Sequence, residues 1–246
     1  MRPFDFMGVL TVKAFALANR FLTIIPWPSP PEEYGPGEAR SALRRFPLVG
    51  LVMGLVLVAG DWALSVIFHL AVRDAILVAG LIFLSGRVQI RALGALTDGL
   101  YGGGDSPATT PGGAAIMGIL LLKFSVLLSL PARGRWSALI LAPTLGRAAM
   151  AYLLVQIPGT GEPPEGAAEL TAEATANEAH AALVWSFAVC LVFGFIGGAV
   201  VALGAGVVVI GLRRATEGRE CRGDVHAAAG EIVEVVALLI ASAWWG

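Results

Sequence analysis

From Ala182 to Leu212 the chain runs for 31 residues without one charged side chain. A helix crosses the hydrocarbon core of a bilayer with about 20 mostly apolar residues. This run is too long for a single ordinary span, and Gly194, Gly197 and Gly198 cluster near its middle. It reads either as two helices packed closely through small residues or as one long bent helix. Composition agrees with a membrane setting. Of 246 residues, 57% are apolar and 14% are charged, against roughly 25% charged in soluble domains, and the mean hydropathy is +0.77. So little charge cannot cover a soluble surface, and so much apolar content excludes disorder. A net charge of −1 removes the electrostatic basis for binding nucleic acid. The expected fold class is all-α, a polytopic integral membrane bundle of about six to eight spans, forming a single membrane domain over residues 1–246.

The clearest spans are 47–70, 73–90, 112–131, 136–157, 182–212 and 227–245. Residues 7–25 are apolar but carry Lys13, Asn19 and Arg20, so they read as an interfacial amphipathic helix or a first span. The N-terminus lacks the h-region and cleavage site of a signal peptide, and the chain is expected to insert through its own helices and keep its first residues. Polar loops fall at 27–45, 97–113, 158–181 and 213–226. The last holds four arginines, whereas 158–181 holds five glutamates and no Lys or Arg. Basic residues set orientation and acidic ones count for little, so the arginine-bearing loops are placed in the cytoplasm. Cys190 and Cys221 form neither a disulfide framework nor a metal-ligand spacing.

Loop 97–113 carries the densest chemistry. Asp98-Gly99 and Asp105-Ser106 lie seven residues apart among Gly102, Gly103, Gly104, Gly112 and Gly113. Carboxylates on backbone that can approach a ligand closely suit Mg²⁺ on phosphate oxygens, and Asp with Gly equally suits a plain turn. In loop 213–226, Asp224 follows Arg222 and Gly223 and precedes His226. That grouping fits a phosphate-rich ligand or an ordinary positive-inside loop. Within the apolar runs stand Asp61, Lys123, Arg147, Glu231 and Glu234, and ionisable groups at membrane depth face a bundle interior or a cavity. Lys123 and Arg147 lie on neighbouring helices that carry no acid. They could receive an anion, snorkel to the surface, or pair with Glu231 and Glu234, which share one helix face.

Four blocks of sequence give these features a common context. They are Phe21-Leu22-Thr23-Ile24-Ile25-Pro26-Trp27-Pro28; Phe46-Pro47-Leu48-Val49-Gly50; Ser85-Gly86 with Leu96-Thr97-Asp98-Gly99-Leu100-Tyr101-Gly102-Gly103; and Ala142-Pro143 with Gly146-Arg147, followed by Arg222-Gly223-Asp224-Val225. In order and spacing, over nearly the whole chain, they resemble the cobalamin synthase family, the integral-membrane adenosylcobinamide-GDP ribazoletransferases. The family's signature is close to HLDGLADTADGL, and here the same stretch reads QIRALGALTDGL. Gln89 stands at the histidine, Arg91 at the first acid and Ala95 at the second, leaving Asp98. The family's DSRxGTFG appears as Asp105-Ser106-Pro107-Ala108-Thr109-Thr110-Pro111-Gly112, with Pro107 in place of its arginine.

The resemblance implies transfer of the adenosylcobinamide-phosphate moiety of adenosylcobinamide-GDP to α-ribazole or its 5′-phosphate, releasing GMP. It also implies Mg²⁺ on Asp98, Asp105 and Asp224, which serve as the catalytic acids, with Arg147, Lys123, Arg222 and Ser106 toward phosphate oxygens. The family's acids lie four and three apart on one helix face. An arginine among them opposes a cation by about 4 kcal/mol at 4 Å and an effective dielectric of 20. Three readings therefore stand: one metal held by the remaining acids, Arg91 binding the pyrophosphate directly, or an impaired paralogue that binds corrinoid or assists assembly. A small transporter is the alternative from another class, although the two halves show no matching pair of interrupted helices. Substrates made in the cytoplasm require both reactive loops on that face of the inner membrane. The number of crossings between residues 113 and 213 is then even, which favours two helices in 182–212. Partners implied are the two substrates, membrane lipid, and either a homo-oligomer or a complex with other cobalamin-assembly enzymes.

Overall fold

The structure, a computed structural model, describes residues 3–25, 36–86, 88–101, 110–157, 170, 174–216 and 225–246. Among these residues every regular element is helical: α1 (Pro3–Leu22), α2 (Pro36–Leu43), α3 (Phe46–Ser65), α4 (Leu70–Leu84), α5 (Val88–Tyr101), α6 (Pro111–Ser129), α7 (Ala132–Gln156), α8 (Ala176–Thr216) and α9 (Val225–Trp245). Five of them, α3, α6, α7, α8 and α9, are long and apolar enough to cross a membrane, and the bent pair α4–α5 makes a sixth.

Helix α7 is the axis of the bundle. Its middle, from Ala138 to Ala151, is buried without interruption, and α3, α8 and α9 pack around it. Small residues permit the close approach. A Cβ on Gly50 would come within 2.7 Å of the Thr144 Cα, and one on Gly54 within 2.6 Å of the Ile140 Cα. These two glycines, four apart, form the small-xxx-small face that brings membrane helices together. Pro143 sits inside α7, where it removes one backbone donor. One residue on, the Thr144 hydroxyl donates to the Ile140 carbonyl at 2.7 Å.

The long uncharged run is a helical hairpin. At Phe195 the backbone takes φ 49° and ψ −133°, and α8 divides there into two arms of about 20 residues, each about 30 Å long. Gly198 packs directly on the Cys190 carbonyl across the turn. The tip lies at one end of the bundle, where Ser137 Oγ donates to the Phe193 carbonyl at 2.6 Å. Arg133 Nη2 reaches the Trp245 carbonyl at 2.9 Å and Ser129 meets Ser242 at 3.1 Å at that same end. Exposed Trp62, Trp136 and Trp244 stand there as interfacial aromatics do.

At the opposite end, Arg44 pairs with Glu178 at 2.9 Å and Arg213 Nη1 donates to Tyr152 Oη at 3.2 Å. The start of α6, the end of α8 and the start of α9 share this end, so four crossings separate α6's first residue from Arg213. The even count expected between the two polar loops is therefore met.

Two elements depart from the expected spans. The chain turns at Gly86, whose φ of +65° is left-handed and suits glycine. It then runs as α5 at 83° to α4, where the sequence reading has one span over 73–90. The loop expected at 97–113 is also shorter, because α5 continues to Tyr101 and α6 begins at Pro111. Thr110 caps α6, accepting from the Gly113 amide at 3.1 Å, with Pro111 in the first turn where its missing N–H costs nothing.

Candidate functional site

Asp98 lies near the end of α5, where the helix crosses the start of α6. Its Oδ1 accepts the Gly112 amide at 2.7 Å, so the carboxylate answers the exposed donors and positive end of the α6 dipole. Only a glycine admits this approach, because a Cβ at position 112 would stand 2.6 Å from Asp98 Oδ2. Oδ2 has no hydrogen-bond partner among the described residues. Arg91 and Ala95 are both exposed on the same helix. With Asp98 they form one stripe, since seven residues are two turns, about 10 Å along the axis. The stripe thus presents a carboxylate and a guanidinium on one surface. Gln89, two residues before Arg91 and so on the opposite face, is buried instead, its amide nitrogen against Met150 Sδ at 2.7 Å and its Oε1 without a hydrogen bond among the described residues.

Asp105, Ser106, Arg222 and Asp224 lie outside the described residues. The segments that carry them are nevertheless bounded by Tyr101 and Thr110, and by Thr216 and Val225, all at the Arg213 end of the bundle. No group of three His, Cys, Asp or Glu able to hold a metal occurs among the described residues. Asp98 supplies one hard oxygen donor of the kind Mg²⁺ prefers, and His226 is buried at the start of α9.

Lys123 and Arg147 are placed differently from groups that meet a ligand. Lys123 Nζ lies 2.6 Å from Glu231 Oε2 and 2.7 Å from Glu234 Oε2, and Arg147 Nη1 lies 2.6 Å from Glu234 Oε1. Two cations from α6 and α7 thereby meet two acids one turn apart on α9. Lys123 is 1% exposed and Arg147 is fully enclosed, so neither presents charge to a phosphate in solvent. Of the three roles open in the sequence, the structure shows pairing. Arg147 Nη2 also approaches Met53 Sδ at 3.3 Å, while its Nε has no hydrogen-bond partner among the described residues. Ion pairs this deep gain little net stability, yet losing one member is severe.

A second buried cluster ties the other end and escaped the sequence reading, which singled out Asp61 alone. Arg135 of α7 lies 2.9 Å from Asp61 of α3, pairs with Asp74 of α4, and donates to the Leu127 carbonyl at 2.8 Å. Arg73 and the Trp136 indole also reach Asp61, at 3.1 and 3.2 Å. The available signal was Arg73-Asp74 inside an apolar run, with Arg135 just after a span boundary. Charges so near helix ends ordinarily snorkel, which hid them.

Comparison with known proteins completes the site's context. A family model described as cobalamin-5-phosphate synthase matches residues 14–242. An adenosylcobinamide-GDP ribazoletransferase of Pseudomonas fluorescens (strain SBW25) is 31% identical, aligned over 92% of this chain and 97% of its own. Proteins of the same name from Roseiflexus sp. (strain RS-1) and Stutzerimonas stutzeri (strain A1501) are each 32% identical. They cover 90% and 89% of this chain and 86% and 92% of their own. No solved structure matches the chain.

Proposed function

The chain belongs to the cobalamin-5-phosphate synthase family, and from that premise we infer the reaction of its named relatives. It transfers the adenosylcobinamide-phosphate moiety of adenosylcobinamide-GDP to α-ribazole or its 5′-phosphate. The ribazole hydroxyl attacks the phosphorus attached to cobinamide, a new phosphate ester forms, the anhydride bond breaks, and GMP leaves while the hydroxyl proton is released. The carrying observation is a family match over residues 14–242, supported by relatives named for this activity along about nine-tenths of the chain.

Such a transfer depends on positioning and on neutralising phosphate charge. In our reading, Asp98, Asp105 and Asp224 hold Mg²⁺, which supplies positive charge to the pyrophosphate oxygens. Arg91, Arg222 and Ser106 bind phosphate oxygens. Arg91 suits this role because it is exposed on the Asp98 stripe, where a guanidinium can fork onto two oxygens. Lys123 and Arg147 act at a distance, joining α6, α7 and α9 beneath the site. The site end carries Arg44, Arg45, Arg213 and Arg214, which supports placing it on the cytoplasmic side of a prokaryotic inner membrane.

The test is a transferase assay on reconstituted protein supplied with adenosylcobinamide-GDP, α-ribazole 5′-phosphate and Mg²⁺, following GMP and the corrinoid product. Product that disappears with a chelator supports the metal assignment, and product insensitive to it assigns charge neutralisation to Arg91. Replacement of two family acids by Arg91 and Ala95 favours one second reading, a corrinoid-binding paralogue. Folded protein that binds corrinoid but forms no product would establish that reading instead.

A further inference from the structure

An apolar groove of about 320 Å³ lies between α7, both arms of α8 and α9. Ala149, Leu183, Phe187, Ala205 and Val209 line it, and Ser186 is the one polar side chain on its wall. The Ser186 hydroxyl is already spent on the Leu183 carbonyl at 2.8 Å. Phe187, together with the exposed Val184, opens the groove sideways. At this depth the surrounding medium is lipid hydrocarbon rather than water, so the groove takes a chain of methylenes.

The end of the groove is not apolar. One turn beyond its lining, each of three walls supplies a polar side chain on the same face: Tyr152 after Ala149, His180 before Leu183, and Arg213 after Val209. Arg213 Nη1 donates to Tyr152 Oη at 3.2 Å, and the Tyr152 and His180 rings lie 6.2 Å apart. No carboxylate lies within ion-pair distance of Arg213 among the described residues, and His180 is exposed. A cation, an aromatic hydroxyl and an imidazole at the bundle end, above an apolar slot, complement an anionic lipid headgroup above its acyl chain.

We propose that this groove binds one membrane phospholipid with an anionic headgroup. One acyl chain lies between the arms of α8, and the phosphate is held by Arg213 with Tyr152 and His180. The bound chain fills the gap between the arms and keeps Arg213 fixed at the head of the segment leading to Asp224.

The proposal is tested by native mass spectrometry of the full chain released from bilayer discs of phosphatidylcholine mixed with phosphatidylglycerol. One phosphatidylglycerol per chain is expected to survive release, retained at least tenfold over phosphatidylcholine. R213A should abolish that preference, R213K should restore most of it, and A205W, which fills the slot, should lose the bound lipid altogether. Equal retention of the two lipids by the wild-type chain, or unchanged preference in R213A, would overturn the proposal. Displacement of the lipid by inorganic phosphate or α-ribazole 5′-phosphate would overturn it too, assigning the site to a free phosphate compound. The readout is lipid retention, so its failure leaves the transferase reading untouched.

Discussion

Glu234 is shared by two cations from different helices: its Oε2 lies 2.7 Å from Lys123 Nζ and its Oε1 2.6 Å from Arg147 Nη1. Glu231 meets Lys123 alone. The two acids are one turn apart on α9 and equally buried, yet their removal has unequal consequences. Glu234→Ala leaves Arg147 with no carboxylate, and breaking a buried pair by deleting one partner costs about 3–5 kcal/mol. Glu231→Ala leaves Lys123 paired with Glu234 and should cost less than half as much. Thermal unfolding in detergent checks the order, and equal loss in the two variants would contradict this division.

Asp98 gives a separable prediction, because one oxygen serves the fold and the other has no hydrogen-bond partner among the described residues. In Asp98→Asn the amide oxygen can still accept the Gly112 N–H, so folding and membrane expression should stay near wild type. The charge is lost, and transferase activity should fall on the order of 100-fold or more, as for removal of one preorganised electrostatic group. Asp98→Ala should lose activity and some stability together. Full activity in Asp98→Asn would reduce Asp98 to a helix-terminus partner of α6.

How far the sequence foretold this arrangement varies by region. The length of Ala182–Leu212 was enough to require a break, because hydrocarbon about 30 Å thick cannot hold 31 helical residues upright. The position of the break was less visible. It falls on Phe195, between glycines that look better suited to a turn, since the glycines are needed where Gly198 meets Cys190 and Gly197 meets Trp244. Helix α5 was partly hidden because Thr97, Asp98 and Gly99 have loop composition, although they continue a helix that packs Gly94 on Ile116. Charge pairing was legible for Glu231 and Glu234 from their shared face. The partners of Asp61 were not, because contacts joining α3, α4 and α7 leave no periodic trace in any one helix.

Arg135 should matter for stability and not for chemistry. It stitches Asp61 to Asp74 at the end of the bundle remote from Asp98, and Arg135→Ala leaves Asp74 buried without its hydrogen-bonded cation. We expect a loss of about 3–5 kcal/mol, seen as a lower Tm. The kcat/KM of the fraction that remains folded should be unchanged. A selective fall in kcat/KM at wild-type Tm would place this cluster in the catalytic path.

The hairpin in α8 makes a topological prediction that also tests the cytoplasmic placement of the site. Phe195 is 77% exposed at the tip, whereas His180 is exposed at the other end of the same arm. In a background lacking Cys221, a cysteine replacing Phe195 should react with a membrane-impermeant maleimide added to intact cells. One replacing His180 should react only after the inner membrane is opened. Native Cys190, fully buried, should stay silent in both. Relief of the φ 49° backbone at this position makes Phe195→Gly neutral or stabilising, by about 1 kcal/mol, whereas the cysteine keeps a Cβ and the wild-type strain. Reaction of both cysteines from outside would mean that the first arm of α8 does not cross the membrane, and reversal of the two would put Asp98 on the outer face, away from cytoplasmic substrates.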